Sequence, residues 1–340
     1  MGLFTYVVRR LVLAIFVLIG VTFITFVLAH SLGGNPIQAW LGRTASDHPQ
    51  LVKLFTQEYH LNDPLWVQYY YYIVNLLRGN WGFSPSRGFV PVITVIEQTL
   101  PFTLQIVIIA FILSVIFAIG FGVLSARYHH TIVDRSIRAF YIGGISLPSY
   151  FLGLLILIIF TLFFHLLPTG GAYNPNLNPP RIITGLPLFD SLLEGNWAYF
   201  SSSLKHVILP SLTLALVTFG FVLRVLRSSL LDVMNLNYIR TARAKGLGEG
   251  TVFFKHGLRN ALIPVITLTS LMITWMITGS IFVENIFAYP GIGQYVVQAL
   301  LQQDYPGILA TTLIFALIIV SSNLVADILY ASVDPQMRLE

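Results

Sequence analysis

The residues of this chain that could support catalysis are few, and their spacing argues against the common reactions. A phosphate-binding P-loop has a lysine directly after a glycine, within G-x-x-x-x-G-K-[ST]. None of the lysines follows a glycine; they are Lys53, Lys205, Lys245 and Lys255. The chain therefore lacks this ATP-binding motif, and we expect it to bind no cofactor of its own.

Metal binding and nucleophilic catalysis are also disfavoured. Neither H-E-x-x-H nor G-x-S-x-G occurs, and His129 and His130 are neighbours on a short loop, not on one helix face. Cysteine is absent, which excludes disulfides and thiolate ligands. We predict no metal site and no catalytic residue.

Ionisable groups inside apolar segments would indicate a proton or ion pathway, because they are costly to bury in a membrane. We predict that Glu284 and Asp327 lie near the membrane surfaces, where hydration lowers this cost. The remaining polar residues within the apolar segments are uncharged. We predict that six polar or helix-bending residues line a translocation path: Gln105, Pro148, Thr213, Ser270, Thr274 and Asn323. The energy for transport would then come from another subunit.

Long apolar segments must position all of these residues. Hydrophobic residues make up 56% of the chain and charged residues 10%, against roughly 25% charged in soluble domains. About 20 apolar residues form a helix that crosses a bilayer, and six segments qualify: residues 11–29, 103–126, 139–167, 207–223, 261–283 and 308–330. This pattern predicts an all-α membrane protein with six transmembrane helices, multi-pass in the cell membrane.

Two of the segments have alternative interpretations. Residues 139–167 are long enough to tilt or to end in a turn outside the membrane. The first segment follows Arg9 and Arg10 as a signal peptide would, but its apolar run exceeds the roughly 7–15 residues usual there, and no A-x-A-like site follows. We predict an uncleaved first helix.

Lys and Arg are distributed unevenly between alternate loops, and positive residues are retained on the cytoplasmic side. Thirteen of the 19 lie in one set of loops and six in the other. This asymmetry predicts that both termini are cytoplasmic. It also explains the net charge of +5 without a nucleic-acid partner, although anionic membrane lipid would attract the loops.

The two longest loops are predicted on the outer side. They include residues 49–59 and 63–78, and a short helix is expected at 63–78, opening with Asp63 as N-cap and Pro64 at the first helical position. Its aromatic residues suit a helix in the membrane interface or a cap packed on the helix ends. Residues 168–206 are rich in Gly, Asn and Pro and predict an ordered loop built from turns.

Residues 238–265 form a long, polar and basic stretch between two apolar segments. Asn235 or Asn237 can begin a short helix, Gly246 and the following glycines can end it, and Thr251 can cap a second helix. The pattern predicts helix, turn, helix, a projection that a motor domain could grip. A solvated basic loop is an equally good interpretation of these residues alone.

This stretch resembles the EAA motif of ABC-importer permeases, in which E-A-A is followed by three residues, a glycine, nine residues and I-x-L-P. Aligned on Gly246, the chain has Arg240, Thr241 and Ala242 in place of E-A-A, and residues 256–259 in place of I-x-L-P. The segments YIRTARAKGL and HGLRNALIPV are similar to the dipeptide and oligopeptide permease form, including its arginine, its lysine and its late proline, Pro264.

Resemblance to the B-type subunit of that family covers nearly the whole chain. It includes the blocks DPLWVQYYYYIVNLLRGNWGFS, GISLPSYFLGLLI, VENIFAYPGIGQYVVQAL and LYASVDPQMR. The resemblance implies a type I ABC-importer transmembrane domain that carries dipeptides or oligopeptides. The implied partners are a paralogous C-type permease subunit, two cytoplasmic subunits that bind ATP and Mg²⁺, and an extracytoplasmic substrate-binding protein.

The resemblance also implies regions and roles. Residues 1–30 would hold the first transmembrane helix, 31–101 an extracytoplasmic segment with short helices, and 102–340 the permease core with a coupling loop at 238–260. The residues expected to couple to the ATPase subunits are Tyr238, Arg240, Thr241, Ala242, Arg243, Ala244, Lys245, Gly246, Leu247, His256, Leu258, Arg259, Asn260 and Pro264. Gly246 is the expected hinge. Ala242, Ala244 and Leu247 would fit an ATPase groove, and the basic members Arg243, Lys245 and Arg259 would pair with acidic groups on the partner.

Other functions fit parts of the same pattern. Permeases of similar sequence carry oligosaccharides, nickel chelates or glutathione, and substrate selection usually begins in the separate binding protein. An ion-driven secondary transporter would be insensitive to vanadate, and an intramembrane enzyme would be active without other subunits.

Overall fold

The computed structural model describes residues 3–31 and 49–333, and most of them are helical. In chain order the first elements are α1 (Leu3–Ser31), α2 (Pro49–Glu58), α3 (Leu65–Leu77), and a hairpin of β1 (Phe83–Ser84) and β2 (Val90–Pro91). The helices that follow are α4 (Val92–Arg127), α5 (Ile132–Ser146), α6 (Ser149–Leu157), α7 (Pro187–Glu194), α8 (Trp197–Met234), α9 (Asn237–Ala244), α10 (Glu249–Thr251), α11 (Arg259–Ala261), α12 (Ile263–Ile286), α13 (Ile292–Leu301) and α14 (Tyr305–Val333).

Five of the described helices are long and apolar enough to cross a membrane, and a bent pair of helices is a sixth candidate. The five are α1, α4, α8, α12 and α14, which match five of the six predicted segments. Helix α8 is the longest at 38 residues, roughly twice the predicted length. The first and last turns of α8 contain too many polar residues for the apolar pattern to include them in the predicted segment. They are nevertheless packed in the protein, since Tyr199 and Leu230 are buried there.

The third predicted segment is not one helix. Helices α5 and α6 occupy it and are bent by 109° at a break between them. Leu147 at the break is extended, with ψ 135°, and a residue before proline is disfavoured in helical geometry because the ring of Pro148 crowds its backbone. The long third segment is therefore a broken pair of helices and not one continuous tilted helix, and the break is local to Pro148, one of the predicted helix-bending positions.

The centre of the fold is the pair α4 and α8. Their facing side chains include Ile106, Phe219 and Leu223, each buried. Gly122 lets the helices approach closely, since a Cβ there would lie 3.0 Å from a methyl of Leu226. Between helices in lipid there is no hydrophobic driving force, so close van der Waals packing at small residues such as Gly122 holds this pair together.

The bundle has two ends, which differ in charge. The basic end contains the C-termini of α4 and α8 and residues 235–262. At the same end an ion pair joins α1 to α14, with Arg10 and Asp327 3.0 Å apart. The opposite end holds the β hairpin, α7 and α13. There Asp304 accepts hydrogen bonds from Ser86 Oγ at 2.7 Å and Gly307 N at 2.8 Å, which ties the hairpin to the start of α14.

Glu284 departs from the sequence-based prediction of a hydrated surface position. Its side chain is fully buried. It accepts hydrogen bonds from Thr103 Oγ1 at 2.8 Å and from the Gln294 backbone at 3.0 Å. Hydrogen bonds satisfy this carboxylate inside the protein, as buried polar groups require, so α4, α12 and α13 are locked together there.

The two long segments between the apolar helices, residues 49–91 and 168–196, contain more helix than predicted. Helix α2 forms at residues 49–58, and the predicted helix at 63–78 is α3, which has Pro64 and not Asp63 as its N-cap residue. Asp63 instead accepts a hydrogen bond from His60 Nδ1 at 2.9 Å. Residues 168–196 include the turns expected and the additional short helix α7, which ends at Gly195 in the left-handed region with φ 77°.

Candidate functional site at the basic end

The predicted helix–turn–helix occupies the basic end, and a small core of its own holds it together. Helix α9 starts at Asn237 directly after α8. It places Ile239 and Ala242, one turn apart, against Val252 and Met234. Ala242 is only 7% exposed, so it packs inside the loop and is not available for an ATPase groove. The sequence had placed Ala242 in contact with an ATPase groove, whereas in this structure the loop's own core covers it.

Gly246 forms the turn between the two arms of the loop. Its φ of 77° is left-handed, a conformation that glycine adopts without the steric cost imposed by a Cβ. The Gly246 N–H donates to Arg243 O at 2.9 Å and the Leu247 N–H to Ala242 O at 3.4 Å. This pair of hydrogen bonds is a Schellman motif, which defines the end of α9 and the direction of the second arm.

The second arm begins earlier than the sequence suggested. Helix α10 starts at Glu249 with Gly248 as its N-cap residue, so Thr251 lies inside the helix and does not cap it. The arm continues through a π-helical stretch, Val252–Leu258, into α11. Gly257 lies against α8, where a Cβ would be 2.7 Å from the Met234 sulfur. Close packing therefore fixes this arm on the end of α8.

Polar contacts also join the two arms at their base. Asn260 Nδ2 donates to Tyr238 Oη at 2.7 Å and to His256 O at 3.1 Å. Tyr238 Oη lies 3.3 Å from the same carbonyl. These contacts give Tyr238, His256 and Asn260 a role in holding the loop together, in addition to any role in contacting a partner.

The outer surface of the loop is exposed, and it mixes positive charge with small apolar groups. Its exposed predicted residues are Tyr238, Arg240, Thr241, Arg243, Ala244, Lys245, Gly246, Leu247, Arg259 and Asn260. Leu258 is half-buried, and Pro264 is exposed at the start of α12, in a groove shared with Arg224, Asp232 and Leu236. A surface of this kind can bind a complementary groove lined by apolar and acidic groups.

A buried ion pair that sequence reasoning missed lies beneath the loop. Asp134 on α5 is fully buried. It accepts two hydrogen bonds from Arg227 on α8, from Nε to Oδ1 and from Nη2 to Oδ2, both at 2.8 Å. Ser125 on α4 donates to the same carboxylate at 2.5 Å. Three helices therefore meet at one carboxylate, about two turns before the end of α8. The only sequence signal was a single acidic residue within an arginine-rich stretch.

The proposed path residues are not brought together. Gln105 is fully buried and bonds to Tyr289 Oη at 2.8 Å and the Leu188 backbone at 3.0 Å. Thr213 is also fully buried and bonds only to its own helix. Pro148 is exposed at the break between α5 and α6, and the side chain of Ser270 lies outside the described residues.

Thr274 and Asn323 are the two path candidates that meet. Thr274 Oγ1 lies 3.3 Å from Asn323 Oδ1, between α12 and α14. An open cavity between α4, α12 and α14 is lined by Thr269, Ser321 and Ser322 among apolar residues. The candidates buried in the core, Gln105 and Thr213, have structural hydrogen bonds.

Arg243 and Glu249 form an exposed ion pair across the turn at Gly246. Arg243 Nε and Nη2 lie 2.8 and 3.2 Å from the two Glu249 carboxylate oxygens. Both side chains are largely exposed, and exposed pairs contribute about 0.2–1 kcal/mol. We expect Arg243→Gln to lower unfolding free energy by less than about 1 kcal/mol, measured by denaturant unfolding in detergent.

The charge reversal Arg243→Glu with Glu249→Arg is the control for that pair. It should restore most of the coupling energy in a double-mutant cycle, because both partners remain. A cost for Arg243→Gln that is unchanged in the Glu249→Gln background would show that the pair contributes nothing.

Comparison with known proteins agrees with this arrangement over nearly the full chain. Residues 118–339 match the family described as binding-protein-dependent transport system inner membrane component, and residues 3–107 match its N-terminal component. The oligopeptide transport system permease protein AppB of Bacillus subtilis (strain 168) is 39% identical over 98% of this chain and 99% of its own length. The dipeptide transport system permease protein DppB of Alkalihalophilus pseudofirmus is 38% identical over 98% and 99%.

A third relative has a different transported compound in its name. The glutathione transport system permease protein GsiC of Escherichia coli (strain K12) is 35% identical over 98% of both chains. All three relatives are named as transport system permease proteins, and the family description places the component in the inner membrane. The helical bundle with its apolar spans, together with these matches, assigns the chain to the family of binding-protein-dependent transport system inner membrane components.

Proposed function

We propose that this chain is the B-type permease subunit of an ATP-driven importer, forming half of a translocation path for dipeptides or oligopeptides. The observation that carries this proposal is the rigid, basic, two-armed loop at residues 237–261, fixed to the end of α8. Mechanical coupling needs a discrete element that a motor subunit can hold, and a packed loop core with a Schellman turn provides one. The relatives named for dipeptide and oligopeptide transport support the substrate class.

Roles within the loop follow from exposure. Ala244 and Leu247 are the apolar contacts for an ATPase groove, and Lys245, Arg240 and Arg259 are the free-standing basic residues that pair with acidic groups there. Arg243 is paired with Glu249 and serves the loop itself. ATP and Mg²⁺ bind to the partner subunits, in keeping with the missing P-loop in this chain.

The basic end is cytoplasmic in this proposal, and both termini lie on that side. Two ATPase subunits bind there, a paralogous C-type permease packs beside the cavity between α12 and α14, and a substrate-binding protein acts at the opposite end. Thr274 and Asn323 lie next to the path. Membrane lipid surrounds the bundle, and no nucleic acid is required.

Reconstituted with its permease partner, ATPase subunits and binding protein, the chain should support ATP-dependent uptake of labelled dipeptide into proteoliposomes. Vanadate should abolish uptake, and collapsing ion gradients with an ionophore should leave it intact. Uptake that stops with the ionophore and survives vanadate would instead identify an ion-driven transporter.

The substrate class is tested separately, by calorimetry on the binding protein that works with this permease. Dipeptides or oligopeptides should bind in preference to glutathione, oligosaccharides or nickel chelates. Glutathione is the second candidate, because GsiC is 35% identical to this chain. Selective binding of glutathione would show that glutathione is the transported substrate, and the proposed importer mechanism would be unchanged.

A further inference from the structure

Helix α3, which lies between the first two apolar spans, has two faces of different exposure. The face on the bundle side carries Gln68 and Tyr72 and lines a small aromatic cavity. On the other face, Trp66, Tyr70 and Leu77 are 73%, 62% and 79% exposed. Residues four and seven positions apart share one side of a helix, so these three side chains form one continuous stripe, aromatic and apolar.

Contacts with α1 give the depth of α3. Tyr69 Oη lies 3.0 Å from Thr22 Oγ1 and donates to Ile19 O at 3.2 Å. The Tyr69 ring also packs edge-on against Phe23, with the centroids 5.2 Å apart. These α1 residues lie within the apolar segment 11–29, and Thr22 is about 10 Å before its end at Ala29, at 1.5 Å per residue. Helix α3 therefore packs against the membrane-spanning part of α1.

The lipid-facing surface of α1 continues onto α3. Helix α1 is the least buried of the five described spans, so most of its surface faces acyl chains. Phe23 is on that surface and is exposed, and its ring contacts Tyr69, the neighbour of Tyr70 in the stripe. Trp and Tyr side chains are enriched where acyl chains meet head groups. The stripe therefore adjoins a lipid surface and has the composition of the layer above it.

The charged groups around α3 lie at its ends. The helix itself contains no charged residue. Asp63 precedes it and pairs with His60 at 2.9 Å, and Arg78 follows its last residue. Asp63 and Arg78 are exposed, and charges of this kind are tolerated in the hydrated head-group layer. The stripe can therefore enter the acyl boundary without carrying a charge into it.

We propose that the stripe of Trp66, Tyr70 and Leu77 is a membrane anchor, inserted into the lipid layer that borders the opposite end of the bundle. Its partner is phospholipid at the boundary between head groups and acyl chains. The anchor holds α3 beside α1 and so limits the movement of the β hairpin that follows it in the chain. It requires a membrane-spanning chain but no particular transported substrate.

Quenching of Trp66 fluorescence tests the anchor. The transporter complex is reconstituted in nanodiscs of phosphatidylcholine that carries bromine either near the head group or near the end of the acyl chains. The difference in emission between wild type and Trp66→Phe isolates the contribution of Trp66, so the remaining tryptophans stay in place. An interfacial helix buries its apolar face about 5–10 Å into the boundary. Shallow bromine should therefore quench this contribution about twofold more than deep bromine.

Two further variants, both made in Trp66→Phe, are matched controls. Tyr70→Trp moves the probe one turn along the stripe and should restore quenching by shallow bromine. Tyr71→Trp moves it to the cavity side of the same helix, where Tyr71 stacks on His60 with ring centroids 3.7 Å apart, and should show little quenching. Co-purification of the complex checks that each variant assembles. The comparison of wild type with Tyr70→Trp still decides if Tyr71→Trp does not assemble.

Other patterns of quenching would overturn the proposal. Quenching of Trp66 by aqueous iodide and by neither brominated lipid would show that the stripe faces water. Protection from all of these quenchers would show that a protein subunit covers it. Quenching that is equal or stronger with deep bromine, or equal for Tyr70→Trp and Tyr71→Trp, would also contradict insertion of this face at the boundary.

Discussion

Transporters that carry Gly246→Arg should insert and assemble but lose most ATP-dependent uptake. The residue has φ 77°, and an L-residue pays about 1–2 kcal/mol to adopt the left-handed conformation. That cost lowers the population of the native turn by roughly 5–30-fold. The arginine side chain adds bulk to the surface that we propose docks into the ATPase, so coupling is lost at the contact as well as in the turn.

Alanine variants separate these two effects. A Cβ at Gly246 or at Gly248 would meet no atom within 4 Å, but only Gly246 has a positive φ. Gly246→Ala should therefore reduce uptake and ATPase stimulation by substrate, and Gly248→Ala should be nearly neutral. Gly246→Asn should recover part of the activity, because asparagine tolerates this conformation better than alanine.

Uptake assays in proteoliposomes and co-purification of the ATPase subunits are the two measurements. Full uptake with Gly246→Arg would refute the proposed docking role of the turn. Loss of uptake that is equal for Gly246→Ala and Gly248→Ala would refute the conformational explanation and leave steric exclusion in its place.

The second large effect is expected from the ion pair beneath the loop. Asp134→Asn removes the charge that balances Arg227, whose side chain is only 19% exposed. Breaking a buried pair by removing one partner typically costs about 3–5 kcal/mol, because the remaining charge is uncompensated. We expect a fall in the melting temperature of the detergent-solubilised protein on the order of 10 °C, together with reduced uptake because the end of α8 loosens.

Arg138→Gln is the matched control for this pair. Arg138 Nε lies 3.6 Å from the same carboxylate, but its side chain is 41% exposed, so its removal should cost less than about 1 kcal/mol. The double variant Asp134→Leu with Arg227→Met should recover much of the lost stability, since no charge remains unpaired. Equal melting temperatures for Asp134→Asn and Arg138→Gln would contradict the central role of Asp134.

The sequence located elements well wherever a local pattern was strong. Five apolar segments became long helices because a run of about 20 apolar residues is a property of the local chain. The turn at Gly246 was predicted for the same reason, since a glycine after a short polar stretch is a local signal for the end of a helix. Pro148 was recognised as a helix-bending residue, but the 109° angle between α5 and α6 depends on how both helices pack on α8.

The partners of polar side chains could not be predicted, because they come from distant parts of the chain. Glu284 was assigned to a hydrated surface, and it is instead buried against Thr103 from another helix. Gln105 and Thr213 were candidates to line a path, and each has structural hydrogen bonds within the core. A polar residue in an apolar segment has the same sequence pattern whether it lines a path or forms a hydrogen bond within the core. Only the packing of the helices distinguishes these two roles.

By itself, the sequence determined the helical membrane class, the family, the missing ATP-binding motif and the position of the basic loop, because each depends on composition, run length or a contiguous motif. Only the tertiary structure decided that Ala242 faces inward, that Asp134 and Arg227 join three helices under the loop, and that Gln68 and Tyr72 border one aromatic cavity. Each of these depends on groups brought together from separate helices, and their distance in sequence carries no information about their distance in space.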